Sequence, residues 1–288
     1  MCIAVRAQLD QAFNRRVWGR APRPDGMLGL DVEHVEGLDR AVALGFDAVC
    51  TGHYARLVPG DPGRAPRLAR GADPDKDQSY VLAVLTSEQL ARAMFPLGAS
   101  TKDQVRKEAA DRGLAVAAKP DSHDVCFIAD GDTRKFLESR LGAAPGAIVD
   151  SEGTVIGSHN GSYSFTVGQR KGLQIGTPAP DGRPRYVLDI EPVSNTVTVG
   201  PAEALDVLDI DAERAVWTGR EPPPGPINCL VQLRAHGEPC QATAWLDGEE
   251  LRIRLNEPAR GVARGQAAVL YDGDVVLGSA TITRALSP

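Results

Sequence analysis

The spacing of apolar positions changes once along the chain. Up to about Leu141 they recur at helical intervals broken by short apolar runs; after Pro145 they alternate, apolar with polar. GLDRAVALG, from Gly37, has helical spacing and a glycine stop, and FDAVCTGHYARL reads as a buried strand running into a loop. Helix, apolar strand and glycine-bearing loop in that order predict an α/β unit, with Thr51, Gly52 and His53 at the ligand-binding end of the strand. VPGDPGRAPRLARGADPD predicts a loop or short hairpin. Helices are expected over Asp77–Val84, TSEQLARAMF, STKDQVRKEAADRGL and GDTRKFLESRLG. The second and third of these open on Thr or Ser with Gln close behind, the pattern of a capping box. Residues 1–36 show little periodicity, and RAPRPDGMLG is turn-rich.

Beyond Pro145 the pattern predicts strands. PGAIVDSEGTVIGSH turns at Glu152-Gly153, and RYVLDIEPVSNTVTVG turns at Ser194-Asn195. From about Ala212 short strands follow closely, with turns at Asp247-Gly248 and Asp272-Gly273 and a stiff REPPPGP connector at Arg220–Pro226. Regular strands with tight turns predict a small barrel or sandwich.

Four segments carry candidate chemistry, each with a plain alternative. Cys126, in KPDSHDVCFIADGD, reads either as a small core hydrophobe beside Val125, Phe127 and Ile128 or as a reactive thiol activated by Lys119 or His123. TGHYAR is either a strand-to-loop turn or a place where Gly52 lets a nucleotide approach the backbone. Lys76, Asp77 and Gln78 either open a helix or touch a substrate. Gln169, Arg170 and Lys171, near Tyr163 and Phe165, form either a solvated hairpin tip or a phosphate- and base-contacting loop.

Composition narrows the choice of compartment and partner. No apolar run approaches the ~20 residues of a membrane span, and the N-terminal residues do not have the form of a secretory signal, so a cytoplasmic location is expected. The five cysteines are far apart and odd in number, with no disulfide framework and no zinc-ligand spacing. A formal net charge of -6 gives no support to broad nucleic-acid binding, so any RNA contact must be a local basic surface.

Taken in order, TGHYAR, DKDQSYVL, FPLG, TKDQVRKEA, KPDSHDVCFI, HNGSYSFTVGQRKGL, RYVLDI and GQAAVLYDGDVVLGSATI resemble the tRNA-specific 2-thiouridylases, from about Gly37 to the C-terminus. That resemblance implies an α/β + β chain in three parts. They are a partial nucleotide-binding domain of the adenine-nucleotide α-hydrolase (HUP) type over 1–130 (1–36 unmatched), a central tRNA-binding domain over 131–205 and a C-terminal β-barrel over 206–288. It implies ATP-dependent replacement of the C2 oxygen of the wobble uridine, U34, by sulfur. The partners implied are the tRNA anticodon arm and a persulfide donor fed by a cysteine desulfurase relay, with no membrane and no metal.

Position by position, Cys126 resembles the family's persulfide cysteine and Gly52 a glycine at the ATP site. His53, Lys76, Asp77 and Gln78 resemble tRNA contacts, and Gln266 a barrel residue near the target nucleotide. Arg234 resembles the Arg of an Arg-Tyr tRNA contact, but the next residue is Ala235. The family's Ser-Gly-Gly-Val-Asp-Ser-Ser phosphate loop and its Asn-Pro-x-x-x-Cys-Asn segment have no counterpart in the sequence. The expectation is a truncated or frame-shifted chain with impaired activity. A non-catalytic tRNA binder, or a variant that works with a separate ATP-binding chain, is the alternative.

Overall fold

The computed structural model describes residues 47–60, 63–118, 133–173, 175–176, 181–219 and 221–286. The helix expected from Gly37 and the Cys126 segment lie outside the described residues.

The last third of the chain closes on itself. Six strands, β9 (Asp206–Trp217), β10 (Ile227–Gln232), β11 (Cys240–Asp247), β12 (Glu250–Arg260), β13 (Ala267–Asp272) and β14 (Val275–Leu286), pair in the order β13-β10-β11-β12-β9-β14, and β14 returns to β13. Closure leaves those strands without a free edge. Period two decides which side chains enter: Leu251, Ile253 and Leu255 of β12 and Ala242 and Ala244 of β11 are buried, opposite Ile210, Leu270 and Ile282. The hairpin turns sit at the Asp-Gly pairs, where Gly248 (φ 65°) and Gly273 (φ 56°) take the left-handed conformation that a tight turn requires.

The middle of the chain forms a smaller sheet of β5 (Gly146–Val149), β6 (Val155–His159), β7 (Tyr186–Glu191) and β8 (Thr196–Gly200), in the order β6-β5-β8-β7. Its core is Ile148, Leu173, Val187, Val197 and Val199, with Phe165 and Ile175 packed against it. The helix Thr133–Leu141 precedes this sheet, where the spacing predicts one.

The first described segment departs from the sequence expectation in two places. FDAVCTGHYARL forms two strands, β1 (Val49–Cys50), parallel to β4 (Ala93–Met94), and β2 (Ala55–Val58), antiparallel to β3 (Arg67–Arg70). The β2–β3 hairpin then joins the barrel sheet, with Ala69 opposite Val275. The expected helices are also shorter. Asp77–Val84 becomes a 3-10 turn at Pro74–Lys76 and a helix at Ser79–Leu82, and TSEQLARAMF is helical only over Ser87–Leu90. Ala93 and Met94 are taken by strand pairing with β1, a tertiary demand that overrides helix propensity. Both predicted capping boxes are present, Thr86 with Gln89 and Thr101 with Gln104 at the head of Lys102–Asp111.

The hairpin and these short helices share a core with the barrel. Ala55, Leu68, Leu82, Leu85 and Leu90 pack against Val269, Tyr271 and Val276, side chains on the outer face of β13 and β14. Each fully buried Leu is worth about 1.5–3 kcal/mol, enough to fix the hairpin and helices on the barrel. Polar ties add to this: Ser279 Oγ donates to Ala83 O (2.9 Å), Tyr80 Oη to Ala267 O (2.9 Å), and Ser87 Oγ accepts from Gly219 N (2.8 Å).

Candidate functional site

The turn after β1 lies at the carboxyl end of a parallel strand pair, with Val49 N donating to Arg92 O (2.8 Å) and Thr51 N to Met94 O (3.0 Å). Gly52 and His53 are buried there. The Thr51 hydroxyl and His53 Nδ1 are 2.8 Å apart, and the imidazole stands edge-on to Phe95 with ring centres 6.0 Å apart. His53 is therefore held in one orientation from two sides. The carboxyl end of a parallel pair is where open α/β sheets receive ligands, so Thr51 and Gly52 suit the backbone side of a nucleotide.

Lys76, Asp77 and Gln78 stand together in the next turn, and their roles separate. Gln78 clamps the strand entry: its N–H donates to Tyr54 O (2.9 Å), and its Oε1 accepts from Tyr54 N (3.0 Å). Asp77, whose side chain is 8% exposed, accepts from Gly71 N (2.9 Å), Ser79 N (3.0 Å), Ser79 Oγ (2.8 Å) and Arg70 Nη1 (3.0 Å). These bonds hold Asp77 extended (ψ 126°), which is why no helix starts at that residue. Lys76 ends the 3-10 turn capped by Asp73, whose Oδ2 also accepts from Lys102 N (2.8 Å).

Arg70 carries this turn to the barrel. Its Nη2 donates to Gln232 Oε1 (3.0 Å), and its guanidinium lies 3.8 Å from the ring centre of Tyr271. Gln232 Nε2 donates in turn to Arg234 O (2.9 Å) and Ala235 O (3.1 Å). The Tyr271 hydroxyl is 3.1 Å from Ser79 Oγ, and burial pushes its pKa up to about 12, so it stays a neutral phenol. The sequence singles out Asp77 and Arg234 as site residues but assigns no role to Arg70, Ser79, Gln232 or Tyr271. No short-range spacing links residues that meet only when β3, β10 and β13 come together.

Arg234, in the β10–β11 connection, reaches with its side chain the start of the β12–β13 loop that Gln266 closes. Arg234 Nη2 donates to Arg260 O (2.8 Å) and to Gly261 O. Gln266 O accepts from Ile282 N (2.8 Å), while its side-chain Oε1 is buried with no hydrogen-bond partner among the described residues. The loop Thr166–Gly172 of the central sheet closes on Gln169, whose Oε1 accepts from Thr166 N (3.0 Å) and whose Nε2 donates to Lys171 O (2.9 Å). Arg170 and Lys171 are left exposed at its tip.

His159, at the start of this loop region, accepts from Gly161 N through Nδ1 (3.0 Å) and is 8% exposed. Burial lowers its pKa, with the Asn195 backbone opposing. The folded form thus favours neutral imidazole, and its contribution to stability is present above the unfolded pKa near 6.5 and lost as pH falls through the lower folded value. The denaturant midpoint is expected to drop between pH 7.5 and pH 5, and His159→Gln is expected to flatten that dependence.

Cys126 lies outside the described residues, as do Lys119 and His123. Of the described thiols, burial raises the pKa of Cys50 and Cys240, and pushes Cys229 up to about 11. Among the described residues no group of three His, Cys, Asp or Glu is arranged to hold a metal, and no helix is long and apolar enough to cross a membrane.

Comparison with known proteins covers nearly all of the chain. Residues 6–130 match the family described as tRNA methyl transferase HUP domain, residues 134–201 the tRNA methyl transferase PRC-barrel domain, and residues 208–282 the aminomethyltransferase beta-barrel domain. The first match starts upstream of Gly37, where the recognisable motifs begin. The chain is 61% identical over 269 residues to a protein of Salinispora arenicola named tRNA-specific 2-thiouridylase MnmA, spanning 92% of this chain and 73% of that one. Proteins of the same name from Streptomyces avermitilis (60% identical, 70% of its length covered) and Acidothermus cellulolyticus (58%, 73%) are similar over the same share of the chain.

Proposed function

The chain belongs to the tRNA-specific 2-thiouridylase family, and from that premise we propose that it serves sulfur transfer to the C2 position of the wobble uridine of tRNA, with Cys126 as the sulfur carrier. The observation that carries this reading is the 61% identity maintained over 92% of the chain.

The chemistry follows from the target. A uracil C2 oxygen is a poor leaving group, and adenylation by ATP converts it into one that departs as AMP. The outer sulfur of a Cys126 persulfide then bonds to C2 as AMP leaves, and a second thiol attacks the inner sulfur, which breaks the persulfide S–S bond, leaves sulfur on the base and joins that thiol to Cys126 as a disulfide. Reaching C2 requires the uridine to leave its stack, so the protein must grip the anticodon arm on both sides of it. Lys76, Arg170 and Lys171 supply cations for the phosphates, and Gln266 is the barrel residue set toward the target nucleotide. Thr51 and Gly52 suit the adenosine side of ATP. His53, fixed by Thr51 and Phe95, is a preset wall for the nucleotide or the flipped base. Burial raises the pKa of each of the three described thiols, which works against the thiolate a carrier needs.

The 288 residues contain no Ser-Gly-Gly-Val-Asp-Ser-Ser loop and no second cysteine in an Asn-Pro-x-x-x-Cys-Asn setting. The polypeptide of this sequence is therefore expected to bind tRNA but to form no 2-thiouridine by itself from tRNA, ATP and a persulfide donor. A gel-shift titration with an anticodon stem-loop at several salt concentrations tests the first half. Affinity should fall steeply with salt and exceed that for a generic polyanion of equal charge; equal affinity for both would sink the tRNA reading. Detection of 2-thiouridine in the nucleoside digest would overturn the expected impairment.

A further inference from the structure

Two glycines from different parts of the fold face each other beside Arg234. Gly168 belongs to the central-sheet loop and has φ 86°; Gly261 begins the barrel loop and has φ 68°. A Cβ built on Gly261 would stand 3.8 Å from Gly168 Cα, and one built on Gly168 would stand 4.0 Å from Gly261 Cα. The same Gly261 Cβ would run into the Arg234 guanidinium, and the Gly168 Cβ would lie 3.9 Å from Arg234 Nη2. Arg234 thus occupies the seam between the two loops and grips the barrel side through the carbonyls of Arg260 and Gly261. Each loop is anchored at its own base: Gly168 N donates to Val187 O (2.8 Å), and Gly261 N donates to Leu205 O (3.2 Å). Gln232 fixes the Arg234 backbone from behind.

We infer that Arg234 is a positioning residue, a latch that sets the Thr166–Gly172 loop against the Gly261–Gln266 loop. Through it Arg170 and Lys171 on one side and Gln266 on the other keep a fixed spacing toward the RNA. This rests on the tRNA reading above, but the latch is a property of the unliganded protein. The physical reason is the forked guanidinium. A single cation that donates to two successive carbonyls pins both the position and the direction of a loop, and an ammonium does so less well.

Gly261→Ala separates a latch from a direct contact. It expels the guanidinium from the seam while keeping its charge on the surface. Gly261→Asn does the same with a residue better suited to positive φ, and so guards against simple misfolding. Amide hydrogen exchange of residues 166–172 is measured without RNA, and anticodon stem-loop affinity is measured separately. Arg234→Ala, Gly261→Ala and Gly261→Asn are each expected to speed exchange in that loop by about tenfold. They should weaken RNA binding to a similar degree, and Arg234→Lys should fall between them and the wild type. Wild-type exchange in both Gly261 variants would overturn the latch. So would full RNA affinity in those variants alongside lost affinity in Arg234→Ala, since that pattern marks a direct contact. Faster exchange in a protein whose wild type does not prefer the stem-loop would leave the latch standing and remove the tRNA reading instead.

Discussion

Asp77→Ala is expected to lower the unfolding free energy by about 3 kcal/mol, the largest stability loss for one site side chain. The carboxylate holds Gly71, both donors of Ser79 and the Arg70 guanidinium. Its removal leaves the Gly71 and Ser79 amides without their acceptor and a largely covered cation without its counter-charge, since the Arg70 side chain is 22% exposed. The loss reaches the barrel through Gln232 and Tyr271, so chemical denaturation should show an earlier midpoint for the whole described body rather than fraying of one turn. Lys76→Ala provides the contrast. It should reduce the salt slope of tRNA binding by about one. A midpoint for Asp77→Ala that matches the wild type would show that the carboxylate does not hold this joint.

The second large effect concerns sulfur loading. After treatment with a persulfide donor, the protein should gain one sulfur atom at Cys126 by mass mapping, and Cys126→Ser should lose that adduct entirely. Cys50→Ser, Cys229→Ser and Cys240→Ser should keep it. The basis is the thiolate requirement: a thiol with a pKa of about 11, such as Cys229, is ionised at pH 7 in roughly one molecule in ten thousand. A carrier needs to be orders of magnitude more ionised than that. Equal loading of Cys229 and Cys126 would remove the special role of Cys126. This measurement needs neither ATP nor tRNA, so it stands apart from the expected lack of thiolation.

The same two predictions show what could be read before the fold. Cys126 and Asp77 both stood out in ordered motifs, but motifs assign membership, not partners. For Asp77 the sequence allowed a helix opening or a substrate contact. In the fold its carboxylate is saturated by the chain itself, which favours a positioning role. Gln78 likewise spends its carbonyl on Tyr54 N. Arg234 was legible as a candidate, but its seat against Gly261 and Gly168 was not, because the central loop and the barrel loop are far apart in sequence.

Local chemistry was determined by the sequence alone. The capping boxes at Thr86 and Thr101, the Asp-Gly turns of the barrel hairpins and the alternation along β12 depend on residues within a few positions of each other. Such short-range signals survive whatever the rest of the chain does. The tertiary structure alone decided where helices yielded to strands and which polar groups were consumed internally. Ala93 and Met94 are strand because β1 needs a partner, and Arg70 serves the barrel because Gln232, 162 positions away in the chain, lies within 3.0 Å of it. Long-range pairing settles these questions because a side chain has only so many hydrogen bonds to give, and which groups claim them is known only once the chain has closed.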